Sequence, residues 1–165
     1  MTTSFARGGK APLAFGLAWF AGLYAVYVHG PGIAQWFIED FTVRPAAWLV
    51  QGLFPTLNAQ ALGSRLVVDG GSLNVLHGCE GADLALLSAS AALAAPMDWR
   101  WRFIGLALML GATFALNQLR LLLLLKAHLH HPSWFDPLHT LWLPLGMVLV
   151  LAALLLAWTK RFARP

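Results

Sequence analysis

Apolar residues gather into runs near the length that crosses a bilayer, and polar residues fall between those runs or at their edges. Segments 12–29, 80–96, 103–125 and 138–158 each approach the roughly 20 residues a membrane helix needs. They predict an all-α polytopic membrane protein of about four transmembrane helices, one integral membrane domain over 1–165. Segment 31–78 reads differently and is expected outside the membrane core. Ile33, Trp36, Phe37 and Phe41 share one helical face, with Gln35, Glu39 and Asp40 elsewhere, which suits a helix lying in the interface. Arg44 and Pro45 are expected to break it. Residues 46–62 are apolar but interrupted by Gln51, Gly52, Pro55, Asn58 and Gln60, the pattern of a buried or re-entrant helix.

Two short runs rich in β-branched residues flank Asp69-Gly70-Gly71 and predict a β-hairpin over 65–76, a short extracytoplasmic element before Cys79. Its edge offers backbone groups to an extended peptide by strand addition. Segment 82–96 is a helix rich in Ala and Ser that lets neighbours pack closely. Segment 97–102 is a basic, aromatic turn of headgroup-level type. Segment 126–137 reads as a polar loop with His128, His130 and His131.

Composition strengthens the membrane assignment: 59% of residues are hydrophobic and 11% charged, against about a quarter charged in soluble domains. The net charge of +4 is explained by position. With the N-terminus inside and four spans, Arg7, Lys10, Arg100, Arg102, Lys160, Arg161 and Arg164 lie on the inner side with Asp98. The outer side holds Arg44, Arg65 and Lys126 among six carboxylates, Glu39, Asp40, Asp69, Glu80, Asp83 and Asp136. That is the positive-inside pattern of a multi-pass membrane protein. The basic residues then anchor the protein in the lipid bilayer, and nucleic acid is not expected as a partner. No small-x-small cleavage site precedes His29-Gly30-Pro31, so the first run is expected to stay as an anchor. The single cysteine excludes an intramolecular disulfide and a dithiol exchanger, and implies a free thiol.

That cysteine, Cys79, stands at the threshold of the second run. At the first turn of a helix, unpaired backbone N–H groups favour negative charge and prepare a nucleophile. The alternative is a small buried hydrophobe. Arg120 lies seventeen residues beyond Phe103, roughly 25 Å up a core of about 30 Å, and His139 begins the last run. Cys79, Arg120 and His139 are therefore expected at one depth, beneath the outer headgroups. An arginine in an apolar helix costs ~2.5 kcal/mol at mid-membrane, and Thr113, Asn117 and Arg120 form one polar stripe directed into the bundle. Snorkelling of Arg120 to the surface is the alternative. A Cys–His pair is the minimum for thiol nucleophilic catalysis, with the imidazole accepting the thiol proton and returning one to the leaving amine. A guanidinium suits a thiolate, an oxyanion or a substrate carboxylate. Glu80 opposes thiolate formation unless it turns outward or pairs with a cation, and His77 is placed to pack on the hairpin.

Cys79-Glu80-Gly81, then Asn117-Gln118-Leu119-Arg120, then His139 at the head of the final run resemble the exosortase/archaeosortase family of membrane-embedded transpeptidases. The resemblance runs from about residue 62 to residue 158. It departs from the family in the acidic Glu80, where a small or hydroxylated residue is common, and in a shorter chain. What it implies is a cysteine transpeptidase or protease that cleaves C-terminal sorting signals of secreted proteins: a recognition motif, a hydrophobic helix and a basic tail. Cys79 would be the nucleophile, His139 the general acid/base and Arg120 the oxyanion or thiolate stabiliser, with Glu80, Gly81, Asn117 and His77 in support. No cofactor or metal is expected. The competing readings are a non-catalytic membrane assembly subunit, a metal protein ligated by His128, His130, His131 and His139, though no H-E-x-x-H or C-x-x-C spacing is present, and a bis-His haem protein, for which His29 and His139 both lie at the outer edge.

Overall fold

A computed structural model describes residues 11–162; Arg7, Lys10 and Arg164, used above to orient the chain, lie outside them. The fold is mostly helical with one small antiparallel sheet. Helix α1 (Ala11–His29) packs along α4 (Ala82–Ala94). Contact is close because Gly16 lacks a side chain: a Cβ there would sit 2.8 Å from the Ala94 Cβ. Helix α4 is buried through Ala82, Ser88, Ala89, Ser90 and Ala92, as its run of small residues leads one to expect.

From Ile33 the chain forms one continuous helical rod: α2 (Ile33–Trp36), a π-helical turn (Phe37–Val43) and α3 (Arg44–Leu53). The expected break at Arg44-Pro45 does not occur. Proline has no N–H to lose, and it follows directly on the widened turn, in the first turn of α3. The π turn also shifts the helical phase. The buried face consists of Ile38, Thr42, Val43, Ala46, Ala47 and Val50, whereas Trp36 and Phe41, expected on the apolar face, are exposed and packed against each other. The buried helix expected over 46–62 ends early, at Leu53, and a tight turn (Pro55–Leu57) follows.

The expected hairpin is present as β2 (Arg65–Val68) and β3 (Gly71–Asn74), with a third strand, β1 (Gln60–Leu62), on the other side of β2. Leu66 lies opposite Leu73, and with Val68 and Val75 they bury one face against Ala46 and Val50 of α3 and against Leu121, Leu124 and Leu125. Each such side chain contributes about 1.5–3 kcal/mol, so this core is what fixes the chain leading to Cys79.

Helix α5 (Trp99–His130) is longer than the span 103–125 expected for it. Its 32 residues extend about 48 Å, and the loop expected from residue 126 is helical as far as His130. The reason is tertiary: Leu124, Leu125 and Ala127 are buried, and the helix end packs beside β3, with Leu129 and His128 over Gly71. His128, His130 and His131 are exposed. The chain then reverses at His131 and runs as α6 (Pro132–Pro137), a π turn (Leu138–Trp142) and α7 (Leu143–Phe162).

Among the described residues two helices are long and apolar enough to cross a membrane, Trp99–His130 and Pro132–Phe162. The other two expected spans are represented by shorter apolar helices, 14–29 within α1 and Ala82–Ala94; α4 has 13 residues, about 20 Å. At its far end Arg102 donates from Nε to the Met97 carbonyl at 2.9 Å and from a terminal nitrogen to the Leu93 carbonyl at 3.0 Å. The second bond satisfies a carbonyl that the end of α4 leaves open, and the first ties down the turn that follows. Trp101 stacks on Phe162 nearby.

Candidate active site

After β3 the chain passes buried Val75, whose N–H donates to the Ser64 carbonyl at 2.9 Å, and turns sharply so that the Cys79 N–H reaches the Leu76 carbonyl at 3.0 Å. Gly78 and Gly81, on either side of Cys79, have φ of 87° and 80°, a region open to glycine at little cost. Cys79 thus sits in the turn before α4, and not in its first turn as expected: the left-handed Gly81 is the N-cap and the helix begins at Ala82.

This turn brings the Cys79 Sγ to 2.8 Å from His139 Nε2. The imidazole comes from the π turn of the last helix, 60 residues along the chain, and its ring lies on that of Phe135. Arg120 is 6% exposed and lies beneath both residues. Its two terminal nitrogens donate to the carbonyls of Cys79 at 3.4 Å and His139 at 3.5 Å. The guanidinium therefore holds the backbones of the pair; its Nε–H has no partner among the described residues. Neither of the ion pairs among those residues involves Arg120, so its charge favours negative charge developing nearby. Snorkelling is not what the side chain does.

The polar stripe on α5 faces inward: Thr113, Asn117 and Arg120 are all buried. Thr113 meets Ser88 of α4 at 3.2 Å. Asn117 donates through Nδ2 to the Glu80 carbonyl at 2.7 Å, and the Thr42 hydroxyl shares its one proton between the Phe37 carbonyl at 3.2 Å and the Glu80 carbonyl at 3.4 Å. Of the two arrangements that would relieve the opposition of Glu80 to a thiolate, turning outward is not the one that Glu80 adopts. It is 3% exposed, and Oε1 accepts a hydrogen bond from the Tyr27 hydroxyl. Exposed His77 stands 3.9 Å away at the same oxygen. For Oε1 a long-range partner, 53 residues distant, supplies the donor that solvent would have supplied, while Oε2 is buried with no partner among the described residues.

Tyr27 and Thr42 escaped the sequence reading. Tyr27 is the one buried hydrophobic residue in the described part of α1, and a phenol at the end of an apolar run before His29-Gly30-Pro31 was the available signal. Thr42 lies within the π turn, where ordinary helical spacing misplaces every side chain. Beside the loop is a groove of about 420 Å³ walled by Phe37, Phe41, Leu110 and Phe114. His128, His130, His131 and His139 form no cluster: among the described residues no three His, Cys, Asp or Glu side chains are gathered as metal ligands.

Gly81 is tightly constrained. A Cβ there would lie 2.9 Å from the Asn117 Cγ, in addition to the positive φ. Gly81→Ala is expected to cost about 1–3 kcal/mol and to push Asn117 off the Glu80 carbonyl, seen as a lower thermal midpoint in detergent.

No protein-family model, no curated protein and no solved structure matches this chain.

Proposed function

We propose that this chain is a membrane-embedded cysteine transpeptidase or protease, of the exosortase/archaeosortase kind that its motifs resemble. The observation that carries the reading is the 2.8 Å approach of Cys79 Sγ to His139 Nε2, with Arg120 donating to the carbonyls of both. In the reaction, His139 takes the thiol proton as Sγ attacks the scissile carbonyl carbon. The tetrahedral oxyanion collapses, the C–N bond breaks, and His139 returns the proton to the leaving amine. The thioester on Cys79 is then released by an amine acceptor or by water, with His139 again taking the proton. Glu80, Gly81 and Asn117 shape the loop that carries the nucleophile.

The substrates are secreted proteins that end in a recognition motif, a hydrophobic helix and a basic tail. Their helix lies beside the bundle and delivers its outer end to Cys79. In this reading the chain is a multi-pass protein of the bacterial inner membrane: α1 and α4 join the two long helices as spans, and the site faces the extracytoplasmic side. The exposed apolar surface of the last helix, including Leu145, Val148, Leu149 and Leu156, supports lipid contact.

The test is co-expression with such a substrate, followed by intact-mass measurement of the purified chain. The expected result is an acyl adduct on Cys79 that hydroxylamine removes. An unmodified Cys79 beside an uncut substrate returns the chain to a non-catalytic assembly role.

A further inference from the structure

Two consecutive carbonyls after the nucleophile are pinned toward one helix. The Cys79 carbonyl accepts from Arg120, and the Glu80 carbonyl accepts from Asn117 and more distantly from Thr42. Arg120 and Asn117 are three residues apart on α5 and share a face. All peptide bonds among the described residues are trans, and in a trans peptide the N–H points opposite to the preceding C=O. Pinning these two carbonyls toward α5 therefore turns the N–H groups of Glu80 and Gly81 to the other side together. In an extended chain successive N–H groups alternate; here both carbonyls are held in one direction, so the rotation at Glu80, the residue between the two peptide planes, brings the N–H groups into line. Neither N–H meets an acceptor among the described residues. Aligned amides of this kind form a concavity that takes an anion, and the buried Arg120, with its Nε–H unpartnered, adds positive charge beside it.

We infer that the backbone N–H groups of Glu80 and Gly81 are the oxyanion hole for the acyl group carried by Cys79, and that Asn117, assisted by Thr42, is the positioning residue that aims them. The assignment rests on the proposed acyl transfer and changes the part played by Arg120. One N–H of each terminal nitrogen goes to a main-chain carbonyl, so Arg120 acts with Asn117 in holding the amides that meet the oxyanion, and its remaining N–H groups add positive charge beside them. Donation by Nδ2 to the Glu80 carbonyl requires an amide at position 117, which a carboxylate of the same size cannot replace.

Two reactions of the same thiol separate this role from simple support. Acylation by p-nitrophenyl acetate passes through a tetrahedral oxyanion. Alkylation by iodoacetamide is a displacement at saturated carbon and forms none. Both rates are measured on the full chain in detergent, with the Cys79→Ala background subtracted. Removing one oxyanion donor slows acyl transfer by about 10²-fold or more. Asn117→Asp is expected to lower acylation by roughly that factor while alkylation stays within about twofold, and Thr42→Val to act in the same sense by a smaller factor. Unchanged acylation in both variants overturns the inference and leaves the proposed function standing. Parallel loss of both rates overturns it too, because Asn117 and Thr42 then only hold Cys79 near His139. An unaltered chain that fails to acylate overturns the proposed function with it.

Discussion

Cys79→Ala is expected to abolish processing of a co-expressed secreted substrate, by at least about 10³-fold, while the protein stays in the membrane. The chain contains no second thiol to substitute. Ser88 and Thr113, the buried hydroxyls nearest in type, are hydrogen-bonded to one another and to helix carbonyls within the bundle, with no base beside them. Cys79 is only half-buried, so removing its sulfur is expected to cost about 1 kcal/mol or less in stability. Immunoblotting of the substrate alongside the membrane-extracted enzyme therefore reports chemistry and not folding. A silent variant would sink the enzymatic reading altogether.

His139→Ala carries the second large effect, a loss of about 10²–10⁴-fold in turnover, the usual contribution of a positioned acid/base. No other imidazole stands ready to replace it. His77 is exposed and lies against Tyr27, and His128 packs against Phe135 at the end of α5. The same variant should slow both alkylation and acylation of Cys79 at neutral pH, since proton acceptance precedes either reaction. That pattern differs from the selective loss of acylation expected for Asn117→Asp. Equal alkylation rates with and without His139 would show that the close Sγ–Nε2 approach has no chemical consequence.

The site was more legible in the sequence than the fold around it. Helical rise along α5 and the position of His139 at the head of the last run were enough to place Arg120 and His139 level with Cys79, and the three do meet. The inward stripe of Thr113, Asn117 and Arg120 followed from 3.6-residue spacing, because polar side chains in an apolar helix have few other places to go. Local pattern failed where distant partners decide. Lys126, His128 and His130 look like loop residues, but the intervening Leu124, Leu125 and Ala127 are buried, and the helix continues. Between Phe37 and Val43 the π turn breaks the period on which the reading relied, so the side chains buried in the protein, Ile38, Thr42 and Val43, are not those that helical spacing picks out. The surroundings of Glu80 stayed open in the sequence for a similar reason. Its donor, Tyr27, arrives from the first helix, and nothing within a helical turn of Glu80 announces it.

The brevity of α4 carries a consequence for access. Its far end is fastened by Arg102, which lies over the Trp99 ring; on the proposed topology that indole would sit at the membrane boundary. From there about 20 Å of helix falls short of a hydrocarbon layer about 30 Å deep. Seated in a bilayer, the nucleophile would be recessed several ångströms below the opposite boundary, or the lipid would thin around it to relieve the mismatch. Folded extracellular proteins could not descend to such a depth. A polypeptide already tethered by its own hydrophobic tail could, and the length of a single short helix would thereby act as a filter on which chains are cut.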